Sequence, residues 1–170
     1  MKIGIISDTH DNIEDLQKAI KIFNEQVKVV VHCGDWCSPF MFIPWKQFKG
    51  KTYWVFGNND ADIYRFIKLK EKFGIDIEYS DDAMILELDG KKIAVYHGTS
   101  PEITDALVKS GDYDGVFTGH NHTKMVETVG KTLHVNPGTL SHFIGGKNAI
   151  ESTIAIYNTE TNTSEHIELK

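Results

Sequence analysis

The sequence predicts an α/β protein built from two packed β-sheets flanked by helices. Two patterns carry that prediction. Apolar strand-like runs alternate with amphipathic helical periodicity in the first half, whereas short strands joined by turn dipeptides fill most of the second. Length and composition agree: 170 residues, 41% hydrophobic and 25% charged, suit a single domain over 1–170 with one sizeable core.

The elements follow in order. KIGIIS (2–7) is a short apolar run suited to a buried strand. Asp11 or Asn12 can cap the next helix, and Glu14 and Asp15 complement the positive end of its dipole. Ile13, Leu16, Ile20 and Phe23 recur at helical spacing, which leaves Glu14, Lys18 and Lys21 to water. KVVVHC (28–33) and TYWVFG (52–57) are the next strands. Between them SPFMFIPWKQF (38–48) is apolar but split by Pro44, so only short helical turns are expected. A second helix is expected from Asp62 to Phe73, stopped by Gly74. AMILEL and KKIAVYH read as a hairpin across Asp89-Gly90, a strong short-range turn cue. Ser100 and Pro101 suit the N-cap and first position of a helix reaching Val108. YDGVFTG, TKMVETV, KTLHVNPG, STIAIYN and TSEHIELK then come at strand-like spacing, with Gly130-Lys131 and Thr161-Asn162 as turns.

Charge and composition exclude several functions. The net charge of -6 argues against general nucleic-acid binding, which draws its affinity from clustered Lys and Arg. It leaves a phosphate substrate open, because bound divalent cations can dominate a local field. No run approaches the apolar length of a membrane helix, and the first apolar stretch meets Asp8 too soon for a signal sequence. A cytoplasmic protein with no membrane role is expected. Cys33 and Cys37 are too few for a disulfide framework and read as reduced thiols, Cys33 buried at a strand end.

The chemistry lies where the strands stop. SDTH (7–10), HCGD (32–35), GNND (57–60), YHG (96–98) and GHNH (119–122) each follow an apolar run. Strand ends and the loops beyond them are where α/β sheets build ligand sites. Singly, each cluster has a structural alternative: Asp8 a turn cap, Asp35 an ordinary loop residue, Asn58 a left-handed backbone position, His97 or His120 a satisfied core histidine. Together they supply seven candidate metal ligands: Asp8, His10, Asp35, Asn58, His97, His120 and His122. Asp8 and His10 are two apart, as are His120 and His122, and extended backbone would put each pair on one side. Imidazole with carboxylate and amide oxygen suits borderline first-row divalent ions rather than a thiolate-held structural zinc. Seven ligands exceed the need of one ion and fit two that share a carboxylate.

The ordered blocks D-x-H, G-D, G-N-x-[DE], H and G-H-x-H resemble the calcineurin-like metallophosphoesterase superfamily. The small size and NPGT at 136–139 are similar to its compact phosphodiesterase branch. The resemblance implies a four-layer metallophosphoesterase-like sandwich and phosphodiester hydrolysis by a hydroxide that two divalent ions activate. It implies that Asp8, His10 and His122 hold one metal, that Asn58, His97 and His120 hold the other, and that Asp35 bridges them. Manganese is put first, with nickel, iron, zinc and cobalt as alternatives. The family usually carries His after the metal-binding Asn, where it assists the leaving oxygen; here that position is Asn59. An amide can hydrogen-bond a phosphate oxygen but cannot deliver a proton near neutral pH. Asn59 is therefore read as a phosphate-positioning group, and Asp60 as a residue that orients the loop behind it.

Other signals are weaker. His32 is expected to pack beside the site, His134 and His142 to lie at the surface flanking NPGT, and His166 to be exposed. PFMFIPW is read as core, and Lys46, Lys49 and Lys51 as a solvated edge. The substrate is expected to be a small phosphate ester, and a homodimer stays open. A phosphomonoesterase, or a non-catalytic scaffold of the same fold, is the alternative.

Overall fold

A computed structural model of the chain describes residues 1–144, 147–148 and 151–170. The strands are β1 (Lys2–Ile6), β2 (Val29–His32), β3 (Lys51–Val55), β4 (Ile77–Ser80), β5 (Ala83–Leu88), β6 (Lys91–Tyr96), β7 (Gly115–Phe117), β8 (Met125–Val129), β9 (Thr132–Asn136), β10 (Phe143–Ile144), β11 (Lys147–Asn148), β12 (Thr153–Asn158) and β13 (Thr163–Glu168). The helices are α1 (Ile13–Gln26), α2 (Phe42–Trp45), α3 (Ile63–Phe73) and α4 (Pro101–Lys109). One main sheet has the order β13-β12-β1-β2-β3-β4 and the other β5-β6-β7-β9-β8, with β10 and β11 paired as a separate antiparallel ribbon. The β1–β4 ladder is parallel, as are β6, β7 and β9, so their C-terminal ends lie together at one edge of each sheet.

Strand alternation makes the layers. Ile3, Ile5, Val31, Val55 and Tyr157 of the first sheet pack on Ile93, Val95, Phe117 and Val135 of the second. Ile6, Val30 and Trp54, one residue out of phase, face the other way onto Leu16, Ile20 and Phe23 of α1, Phe42 and Trp45 of α2, and Phe66 of α3. Gly4 lets α1 come this close, since a Cβ there would lie 2.6 Å from the Phe23 ring. Val108 of α4 covers Ala94 and Val116 on the outer face of the second sheet. The result is helix, sheet, sheet, helix.

Local signals placed most elements. Asn12 caps α1 by accepting from the Asp15 amide, and Asp62 caps α3 by accepting from the Arg65 amide. Gly74 ends α3 at φ 63°. Asp89 and Gly90, at φ 51° and 74°, turn the β5–β6 hairpin. The PFMFIPW segment forms a 3-10 turn and then α2; Met41, Phe42 and Trp45 are core, but Phe40 and Ile43 are exposed. Four expectations need correction. Ile13 is 48% exposed because it is the first residue after the cap, and Ala19 takes its place on the buried stripe. The edge strand β4 went unread, since IEYS alternates too briefly to signal. His134 is buried, not superficial, because β9 is covered on both faces. His166 is half-buried and donates from Nε2 to the Asn136 carbonyl at 2.8 Å. Among the described residues, no helix is long and apolar enough to cross a membrane.

Candidate metal centre

The loops leaving β1, β2, β3, β6 and β7 meet at the shared edge of the two sheets. Asp8 follows β1 and is fully buried; its amide donates to the Gly34 carbonyl at 2.9 Å, and its Oδ2 accepts from the His120 amide at 2.9 Å and Ser7 Oγ at 2.5 Å. Its other oxygen, Oδ1, is buried without a hydrogen-bond partner. That oxygen lies 3.3 Å from His122 Nε2 and 3.7 Å from His10 Nε2, and the two imidazole nitrogens are 3.1 Å apart. Three electron-rich atoms converge there, which is the donor arrangement a divalent cation satisfies.

Asp35, also buried, joins this group to a second. Its Oδ2 is 3.5 Å from His10 Nε2 on one side and 3.5 Å from His97 Nε2 on the other. His97 Nδ1 donates to the Cys33 carbonyl at 2.7 Å; a carbonyl can only accept, so the lone pair belongs to Nε2. Nε2 lies 3.1 Å from Asn58 Oδ1. The His120 ring stands 5.1 Å from that of His97, edge to face. Asp8, His10, Asp35, His97 and His122 thus form two overlapping groups of donor atoms, {Asp8, His10, His122} and {Asp8, Asp35, His97}, while exposed Asn58 and His120 flank the second.

Electrostatics follow from burial and pairing. Burial raises the Asp8 and Asp35 carboxyls, but His10, His122 and His97 around Asp8, and His97 with the Asn59 hydrogen bonds at Asp35, outweigh it and hold both below the ordinary carboxylate range. Burial lowers His97, and Asp35 and Asp8 more than reverse that. Asp60 is pushed up, mainly by burial. Its Oδ2 accepts from the Asp35 and Gly57 amides at 2.9 and 2.8 Å and its Oδ1 from the Cys37 amide at 3.0 Å, so one carboxylate fastens two loops. Asn59 donates to Asp35 from both backbone (2.8 Å) and side chain (2.7 Å).

The convergence does not arise from extended backbone. Asp8, His10, Asp35, His120 and His122 all have positive φ, between 43° and 68°. A left-handed residue breaks the alternation of a strand, so the two histidines of GHNH go to different partners: His122 to His10 and His120 to His97. The glycines of these blocks have a role beyond the turn. A Cβ on Gly119 would collide with Ser7 Oγ and lie 2.6 Å from Asp8 Oδ2, and one on Gly57 would collide with Asp35 Oδ1.

Several supporting residues carried no assigned role from sequence. Asn136 donates from Nδ2 to the Gly119 carbonyl at 2.8 Å, and Thr139 Oγ1 donates to the Asp8 carbonyl at 2.9 Å, so NPGT braces two ligand loops. Their position directly after a buried strand was the available signal. Cys37 Sγ sits 3.2 Å from His10 Nδ1, with its thiol pushed up to about 12 by burial and four nearby carboxylates. His32 is buried and stacks on Trp36 at 3.8 Å; it accepts from the Gly34 amide at Nδ1, so Nε2 donates to Thr9 Oγ1. His142 is exposed and lies 3.1 Å from Asp15 Oδ2.

A family model described as the calcineurin-like phosphoesterase superfamily domain matches residues 1–162. The chain belongs to this superfamily. Within it, the chain is 37% identical to a phosphodiesterase of Methanocaldococcus jannaschii over 173 residues, covering 100% of each. The solved structure of an archaeal phosphodiesterase superposes with a TM-score of 0.89 at 34% identity, over 99% of this chain and 100% of that one. Zinc-bound Vps29 of Entamoeba histolytica shares the superfamily fold at a TM-score of 0.69 and 15% identity, over 100% of both. The two-sheet sandwich expected from the resemblance is therefore the fold of the superfamily to which the chain belongs.

Proposed function

We propose that the chain is a metal-dependent phosphodiesterase whose whole length forms one catalytic unit. Asp8, His10 and His122 would hold one divalent cation and Asn58, His97 and His120 a second, with Asp35 shared. The observation that carries this is the buried, unpartnered Asp8 Oδ1 facing two imidazole nitrogens. The mixed oxygen and nitrogen donor set fits borderline divalent ions, manganese first. When bound, two such cations supply an acidified water near neutral pH and neutralise phosphoryl oxygens.

The chain's own residues set the stage. Asp8 and Asp35 stay ionised at neutral pH, and Cys33 fixes the tautomer that leaves His97 Nε2 free to ligate. Asn59 holds Asp35 from two directions, and its exposed amide would be the group that positions a phosphoryl oxygen. Asp60 keeps the Asp35 and Asn59 loops in register. No imidazole stands at position 59, so the site favours esters whose leaving oxygen needs little protonation. The resemblance to the M. jannaschii phosphodiesterase supports diesters over monoesters.

The test is hydrolysis of bis(p-nitrophenyl) phosphate and p-nitrophenyl phosphate by chelated protein, then after addition of each divalent metal. Metal-restored turnover of the diester, faster than that of the monoester, is expected. Equal rates before and after chelation would overturn the metal requirement.

A further inference from the structure

Beside the centre, a groove of about 360 Å³ opens between α4 and the outer face of the second sheet. Gly98, Gly119 and His120 form part of its lining, so it adjoins the loops that carry His97 and His120. Pro101, Thr104 and Val108 of α4 face Val129 of β8 across it. Thr118 and His134 also line it, and they are joined at 2.9 Å through His134 Nε2. His134 Nδ1 lies 3.4 Å from Glu127. An ionised carboxylate only accepts, so Nδ1 carries the hydrogen and Nε2 takes that of the Thr118 hydroxyl. Burial lowers the His134 pKa and keeps the ring neutral. Lys109 is paired to Asp105 at 2.6 Å. Among the described residues that line it, the groove thus offers no free cation, and Glu127 and Asp105 stand among them.

We propose that this groove receives one organic arm of the phosphodiester and selects a compact, uncharged, mainly apolar group of aryl size over an arm bearing further phosphate. The proposal rests on the phosphodiesterase reading of the adjoining centre. Three observations support it. The groove is continuous with the ligand loops at His120, and its volume is that of a small-molecule site. An anionic arm would find carboxylates and no unpaired ammonium. Finally, the Thr104 hydroxyl, on the same wall, is buried without a partner and keeps its hydrogen-bonding capacity unspent.

The test compares p-nitrophenyl phenyl phosphate with p-nitrophenyl methyl phosphate, which share charge and leaving group, on the metal-loaded full chain. Wild type should prefer the phenyl ester in kcat/KM by about tenfold or more. A diester whose second arm ends in phosphate should gain nothing over methyl. Thr104→Phe fills the groove and should reduce the preference to within about threefold. Val129→Phe, on an edge strand, fills it from the other wall and carries the test if circular dichroism shows that the first variant misfolds. An undiminished phenyl preference in the folded variants overturns the subsite and leaves the phosphodiesterase reading intact. If neither ester is cleaved with any metal, that reading fails instead. NMR titration of Val108 and Val129 methyls with phenylphosphonate then decides the groove: perturbation supports it, and none overturns it.

Discussion

The two halves of the candidate centre are built differently. Around Asp8, His10 and His122, three donor atoms already lie within 4.8 Å of one another. The half is anchored by a carboxylate with no exposure, held through its amide, its carbonyl and one oxygen. Around His97, the imidazole and Asp35 are buried and lie with Asp8 within the same 4.8 Å of one another, but Asn58 and His120 are exposed. Donors fixed before binding lose little freedom when a cation arrives, whereas exposed ones must still be ordered. On the proposed assignment, the difference between the halves lies in Asn58 and His120, which would still have to be ordered when a cation arrives, whereas the donors of the first half already converge. The proposed assignment therefore predicts two binding steps of unequal affinity, the tighter at Asp8, His10 and His122.

The largest expected effect comes from Asp35, proposed as shared because its Oδ2 lies 3.5 Å from both His10 and His97. Asp35→Ala should abolish both binding steps and lower diester turnover to below about one-hundredth of wild type, with the fold retained. Calorimetric titration with Mn²⁺ beside a steady-state assay checks it; a variant that keeps either step intact would show that Asp35 is not shared.

A smaller effect should separate the halves. If His10 ligates through Nε2, its Nδ1 carries the hydrogen, and Cys37 Sγ at 3.2 Å is the group that receives it. Cys37→Ala should weaken the tighter step by about tenfold, with partial rescue by Cys37→Ser, while the other step stays put. Equal weakening of both steps would dissolve the distinction between them.

A separate effect, on stability rather than binding, concerns the metal-free frame beneath the first half. Burial lowers His32 from 6.5 to about 3. A group whose folded pKa is depressed gives stability that is complete above its unfolded value and is lost as pH falls below it. Metal-free protein should therefore lose stability between pH 6.5 and 3 with a contribution approaching about 1.4 kcal/mol per pH unit from this one residue. Denaturant unfolding across that range, compared with His32→Phe, measures it. The variant should lie lower at neutral pH, by about 1–3 kcal/mol for the lost hydrogen bonds, but with a shallower acid slope.

Much of this was legible in the amino-acid order because the signals were local. Caps at Asn12, Asp62 and Ser100, the Asp89-Gly90 turn and the alternation of Ile3, Ile5 and Val31 are each decided within a few residues. The ligand blocks stood out because polar clusters directly after buried strands are costly without a purpose. What stayed hidden was long-range. Nothing near Thr139 reveals that its hydroxyl reaches Asp8, 131 residues away, and nothing near Cys37 reveals His10. The backbone at the ligands was misjudged for the opposite reason. Two-residue spacing suggested extension, but the chain turns left-handed at Asp8 and His10 to bring them round.

That left-handed path has a thermodynamic corollary. Five ligand candidates occupy a backbone region that side chains with a Cβ enter at a cost on the order of 1 kcal/mol or more apiece, so the fold concentrates tension at one rim. A cation that links these residues would offset the tension only in the folded chain, so occupancy and melting temperature should rise together.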